Sequence, residues 1–285
     1  PAGADPRIDL AEARVTFILQ DNARALAAAE KAAAAGTAAG ARLLVAEARG
    51  VAANVLRALH RPDDAKASYH EAVRLYDEVG DHRNAGRVLS GLATLIREGF
   101  GDIPGARAVQ EQALAAYRAA GDRAGIAESL TLIGFIVNAY EGNAAAARPL
   151  YEEALAINRA TGNRQGTGLA LTTLAAILEG EGELETARKY HEETLAIFSE
   201  TGPDNGAWQV AFIANILFKQ GDLAGAKRHY EEAEEMMVRI GGKEMSGSIA
   251  AVLGWSASVP TETGDLTGAR RIADRALGMA ADGGS

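Results

Sequence analysis

The chain has no cysteine among its 285 residues, which removes disulfides, thiol nucleophiles and thiolate metal sites and is compatible with a reducing cytoplasm, where we place the protein. It also lacks any run near the roughly 18 to 20 apolar residues that cross a bilayer, and its N-terminus has no basic-then-apolar leader pattern. Basic residues are in deficit, 29 against 38 acidic, for a formal charge of −9. That balance argues against general nucleic-acid binding, which rests on a large basic surface. What is present is enough apolar content, 48%, to build a folded core. The chain starts at Pro1 and closes in Gly-Gly-Ser, so we expect a segment excised from a longer protein.

A fixed period runs through the sequence. Gly80, Gly121, Gly162, Gly202 and Gly241 recur at 39 to 41 residues, and Asp81, Asp122 and Asn163 follow the first three. Glycine tolerates the left-handed residue that ends a helix, and the Asp or Asn after it caps the next. A second series of turns lies between them at Arg61-Pro62-Asp63, Gly101-Asp102, Gly142-Asn143, Gly182-Glu183, Gly221-Asp222 and Gly264-Asp265. The unit is therefore a helical hairpin. The second helices align from Ala65, Ala106, Ala147, Ala187 and Ala226, with a ring four residues on in all but the second, where Gln110 stands, and a small residue three further, as in Ala65, Tyr69 and Ala72. Small residues seven apart share one helix face and admit a close neighbour, with the ring filling the gap. Val73, Leu114, Leu155 and Leu195 continue the buried stripe. The first helices answer with Ile133-Gly134, Leu174-Ala175, Ile213-Ala214 and Leu253-Gly254.

This pattern resembles the tetratricopeptide repeat in its longer form of about 40 residues, as in kinesin light chains, spindle-orientation adaptors and the repeat tails of bacterial multidomain signalling proteins. The resemblance implies an all-α, right-handed superhelical solenoid of about seven hairpins, approximately 5–36, 38–79, 81–120, 122–161, 163–201, 203–240 and 243–281, in one domain spanning 1–285. The adaptors carry an Asn just before the Leu-Gly pair. Leu132, Thr173, Phe212 and Val252 stand there instead, so that peptide clamp is not implied. Pro149, inside a helix, predicts a local bend.

Chemistry-bearing motifs are weak. The pairs Glu152-Glu153, Glu192-Glu193 and Glu231-Glu232 recur once per repeat, each with a cation four residues earlier, and read as a solvated outer face. The Gly99 to Gly105 and Gly241-Gly242-Lys243 clusters miss the spacing of a phosphate loop and read as turns. His60, His70, His82, His191 and His229 form no metal pair, and we expect His191 and His229 to be half-exposed at near-equivalent places. No catalytic residue, metal site or cofactor is assigned.

In arrays of this kind a second stripe on each first helix lines a concave groove. Here that stripe carries Arg14, Asn54, Arg57, Arg87, Thr94, Arg97, Glu128, Phe135 and Asn138, then Trp208, Asn215, Phe218, Lys219 and Trp255. Its arginines fit bidentate recognition of carboxylates, and its Trp and Phe fit interface anchors. The alternatives are a solvated surface for the arginines, and for Trp208 and Trp255 a packing role near Pro203 and Pro260. The expectation is a non-catalytic scaffold that holds an acidic or amphipathic segment of a partner protein, with neither nucleic acid nor membrane as partner. The other reading is a ligand-sensing module of a bacterial kinase or transcriptional regulator. The last helix, with Leu266, Ile272, Ala276 and Leu277, predicts an exposed apolar strip and weak self-association through that end, or a continuation of the array.

Overall fold

The computed structural model describes residues 5–200, 202 and 204–283, and among these there are helices and no strand. The chain divides into two compact units at Ile157/Asn158. In the first, α1 (Pro6–Ile18), α2 (Asn22–Ala38), α3 (Arg42–Ala58), α4 (Pro62–Glu78), α5 (His82–Gly99), α6 (Ile103–Ala120) and α7 (Arg123–Phe135) each pack on the next. A π-helical turn, Ile136–Tyr140, extends α7, and α8 (Ala144–Thr161) contains the unit boundary. In the second unit come α9 (Arg164–Glu181), α10 (Leu184–Ser199), α11 (Ala207–Lys219), α12 (Leu223–Gly241), a 3₁₀ turn at Gly242–Met245, α13 (Ser246–Ser256), the short α14 (Ser258–Glu262) and α15 (Leu266–Gly283). Pro203 and both chain ends, invoked above, lie outside the described residues.

Capping explains where the helices start. The side chains of Asp81, Asp122 and Asn163 accept from the backbone N–H of Asn84, Gly125 and Gly166 at 3.1, 3.2 and 3.0 Å. Asp21, Asp102, Asp222 and Asp265 do the same three residues on. Helix ends follow the left-handed residues. These fall at Gln20, Gly40, His60 and Gly80, then at Gly101, Gly121, Gly142, Gly162 and Gly182, then at Gly221 and Gly264. The turn placed at Arg61 to Asp63 is thus made by His60, at φ 55°, and Gln20 holds φ 62°. Gly202 and Gly241, expected in this series, do not have positive φ. Gly241 is instead the last residue of α12, which the 3₁₀ turn follows directly.

Across α2, α4, α6 and α8, the second helices bounded by left-handed residues, the turn-to-turn step is constant at 20 residues. Gly101 to Gly121 and Gly142 to Gly162 are steps of 20, whereas the first-helix steps Gly80 to Gly101 and Gly121 to Gly142 are 21. The longer repeats owe their extra residue to the first helix.

Packing follows the small-and-ring pattern. Ala65, Tyr69 and Ala72 are buried, as are Ala147, Tyr151 and Ala154, and Ala226, Tyr230 and Ala233. A Cβ at Gly91 would come within 2.9 Å of Tyr69, and one at Gly134 within 3.0 Å of Tyr151, so these glycines are where the rings lie. Gly254 breaks the expected pattern: it is exposed, with open space where a Cβ would point. A second set of rings escaped the sequence reading. Tyr76 and Tyr117 stand fifteen residues after their helix caps and are buried. Tyr117 lies against Gly86 and Gly125, where any Cβ would press on its ring.

The outer glutamates are solvated, and some keep the expected partner, as Glu231 does with Lys227 at 3.9 Å, while others do not. Arg148 pairs with Glu152 at 3.0 Å within α8, whereas Glu153 receives Arg118 of α6 at 2.9 Å and Glu193 receives Arg159 at 2.6 Å. Residues 34 or 35 apart are neighbours because one period returns the chain to the same face. The C-terminal strip is also corrected. Ala276 is buried and Ile272 packs on the core of α11 to α13, while Leu266 and Leu277 are 69% and 70% exposed.

Candidate binding face on the first helices

Within the first unit, the stripe on α1, α3, α5 and α7 is polar and mostly internally paired. Arg14 meets Glu47 at 2.9 Å, and Glu98 takes Arg57 at 3.3 Å and Arg97 at 2.8 Å. The arginines are therefore not a row of free cations: three of the four have carboxylate partners supplied by the same face. Arg87 is exposed and has no salt bridge. Its guanidinium lies beside Tyr76, whose hydroxyl is buried without a hydrogen-bond partner and which burial pushes up to about 12. Glu128, on the next first helix, is exposed and likewise unbridged.

The remaining polar positions are held from below. Asn54 accepts from the Tyr69 hydroxyl at 2.7 Å, and Thr94 donates to the Ser90 carbonyl at 3.0 Å. Gln110, buried where other second helices carry a ring, donates to Ser90 and Ser129 at 3.1 and 2.9 Å. Arg97 stacks over Phe135 at 5.9 Å, and Phe135 meets Tyr140 edge-on at 5.7 Å. Phe135 and Tyr140 are exposed, and Asn138 is half-buried within the π-helical turn. The turn thus ends the stripe in a pair of rings.

In the second unit the same stripe is aromatic. Trp208 stacks on Phe212 at 5.9 Å, and Trp255 closes on both at 5.9 and 6.0 Å. All three rings are half-buried. Phe218 also packs on the core rather than standing free. Phe212 was noted in the sequence only as a departure from a family Asn, so its part in the cluster was missed. His191 is fully buried, contrary to the expected half-exposure, and lies 5.0 Å from Phe212. Its Nε2 faces Glu179 Oε1 at 3.3 Å, its Nδ1 is buried without a partner, and Lys219 reaches Glu179 Oε2 at 3.0 Å. Burial pushes the Glu179 carboxyl up, but the hydrogen bonds from His191 and Lys219 more than offset it and hold the group below its ordinary value. His229 sits one position earlier on its helix, half-buried, against the Gly225 carbonyl. Asn215 repeats the arrangement of Asn54, accepting from Tyr230 at 2.7 Å.

The sequence matches the family model of the tetratricopeptide repeat over residues 44–119 and 125–200. The chain belongs to the tetratricopeptide-repeat family. No curated protein sequence matches it. Among solved structures it is similar to a Signal Transduction ATPase with Numerous Domains protein with a tetratricopeptide repeat sensor from Pyrococcus horikoshii. That match has a TM-score of 0.79 and 16% identity, covering 99% of this chain and 42% of that one. It is similar to BtubC (BKLC) from P. vanneervenii, at TM-score 0.64 and 20% identity over 76% and 89% of the two chains. A Rap protein complexed with Competence and Sporulation Factor matches at TM-score 0.55 and 15% identity, over 95% and 74%. At these identities the likeness concerns the fold, an all-α solenoid of consecutive hairpins.

The pairs Arg14–Glu47 and Arg57–Glu98 carry no local sequence signal, because they join residues 33 and 41 apart in the chain, whereas Arg97 and Glu98 are adjacent in it. Among the described residues no cluster of three His, Asp or Glu could hold a metal, and no helix is long and apolar enough to cross a membrane. A cavity of about 640 Å³ opens between α12, α13, α14 and α15. Its lining includes the apolar Leu223, Leu253, Val259 and Ile272 and charged groups of both signs, among them Lys227 and Glu234.

Proposed function

We propose that the protein is a non-catalytic interaction scaffold whose first-helix stripe binds an extended segment of a partner protein, acidic or amphipathic in character. The observation that carries this reading is the pair Asn54 and Asn215. Each amide oxygen is fixed by a buried tyrosine, at 2.7 Å in both cases, which leaves the amide N–H₂ donors oriented and without a partner in the chain. Preorganised donors on rigid helices lower the ordering cost of binding a flexible segment. Arg87, exposed and unbridged, adds a bidentate donor for a carboxylate. The Rap complex with Competence and Sporulation Factor offers a precedent of similar fold. The test is fluorescence anisotropy with a library of acidic and amphipathic peptides. Arg87→Ala should weaken its best binder about tenfold, with an effect that fades as salt rises. A library binder unaffected by face substitutions would remove the reading.

A second reading, a ligand-sensing module of a bacterial regulator, draws on the cavity of about 640 Å³, a size suited to small molecules. The repeat sensor of the Pyrococcus protein supports it. A small ligand that raises the melting temperature of wild type but not of Ile272→Trp would favour this reading over the first.

A further inference from the structure

On the face of the first unit, Glu98 is the one carboxylate shared by two guanidiniums of the stripe. Its Oε2 lies 3.3 Å from Arg57 Nη1 on the preceding first helix, and its Oε1 lies 2.8 Å from Arg97 Nη2 beside it. The cluster therefore carries one net positive charge. It is also under-bonded. Each guanidinium can donate five hydrogen bonds, yet Arg57 and Arg97 make one side-chain bond each here, and Arg57 Nε is buried with no acceptor at all. Such a donor is costly to leave unmade. The guanidiniums are positioned from both sides. Arg57 lies beside Tyr69, where it opposes the rise that burial causes in the phenol, and Arg97 is stacked on Phe135.

Glu98 itself is loosely held. Its side chain is 48% exposed, against 24% for Arg97, and α5 ends one residue later, at Gly99. Ion pairs this exposed are worth little and exchange readily. We infer that Glu98 is an internal stand-in for ligand: it fills a two-arginine clamp that accepts a carboxylate side chain of the partner segment, and the segment binds by exchanging with it. This rests on reading the first-helix stripe as the binding face. The consequence is a site that discriminates. A single weak anion does not displace Glu98, whereas a segment anchored elsewhere on the stripe does, because its carboxylate arrives at high effective concentration.

The probe is a fluorescein-labelled hexaglutamate peptide, with hexaglutamine as its neutral counterpart, measured by anisotropy on the whole chain. Glu98→Gln should bind hexaglutamate about three- to tenfold more tightly than wild type and should leave hexaglutamine unchanged. Glu152→Gln makes the same change in net charge on the outer face and should give no gain. In the Glu98→Gln background, Arg97→Ala should abolish the gain. Arg97→Lys, which keeps the charge without the fork, should restore only part of it, and circular dichroism confirms that each variant is folded. An equal gain from Glu152→Gln, a gain that survives Arg97→Ala, or no hexaglutamate binding to either protein overturns the clamp. If library peptides still bind the stripe in that event, the scaffold reading stands and only the role of Glu98 falls.

Discussion

The hydroxyl of Tyr69 donates to Asn54 Oδ1 at 2.7 Å, and the same bond at the same length joins Tyr230 to Asn215 in the other unit. The second helix thus reaches through the hairpin and fixes a polar side chain on the first-helix stripe. Tyr69→Phe removes a satisfied bond and should cost about 1 kcal/mol. Asn54→Ala strands a buried hydroxyl and should cost more, about 1–3 kcal/mol. Hydrogen exchange in α3 and α4 checks the order, since local protection reads repeat stability where a global transition is not two-state.

His60 and Gln20 hold the left-handed conformation that glycine holds at the corresponding turns. His60→Gly should therefore raise stability by about 1 kcal/mol, the strain of a side chain at positive φ outweighing the added freedom of the unfolded chain. Urea denaturation midpoints decide it, and a loss of stability would show that the His60 side chain makes a compensating contact.

Substitutions at glycine separate packed from open positions. Gly125→Ala forces a methyl onto the Tyr117 ring and should cost about 1–3 kcal/mol. Gly254→Ala, within α13 and facing open space, should gain about 0.5–1 kcal/mol from helix propensity. Thermal melts of the two variants should move in opposite directions.

The Glu179 carboxyl, held below its ordinary value of 4.5 by His191 and Lys219, contributes stability that is fully present above pH 4.5. That contribution is lost as pH falls through the depressed folded-state value. Glu179→Gln should therefore be less stable than wild type at neutral pH, and the gap between them should shrink below about pH 4.5. Denaturation midpoints of α9 to α11 reporters from pH 3 to 7 test this, and a gap that widens on acidification would contradict it.

The sequence made the hairpins legible because their signals are local: an Asp or Asn cap, a terminal glycine, and small residues seven apart. Tyr117 was missed although it stands four residues after Ala113 on the same buried face; what the sequence does not show is that Gly86 and Gly125 close on its ring. Part of the charge pairing was misread for a related reason. Lys189 stands four residues before Glu193 in the chain, but Arg159 lies nearer in space, at 2.6 Å. His191 looked polar and half-exposed by type, yet its helix register is the one occupied by Tyr69 and Tyr151, which are buried. Register predicted its place better than chemistry did.

The constant step across α2, α4, α6 and α8 has a consequence for how such a chain can change. Because the extra residue at Gly80 to Gly101 and Gly121 to Gly142 falls on the first-helix side of the repeat, residues can be added on the helix that carries the polar stripe while the step across the stacking helix is kept. Mutation can therefore reshape the first-helix surface, as in the π-turn with Phe135 and Tyr140, without first having to solve the folding problem again.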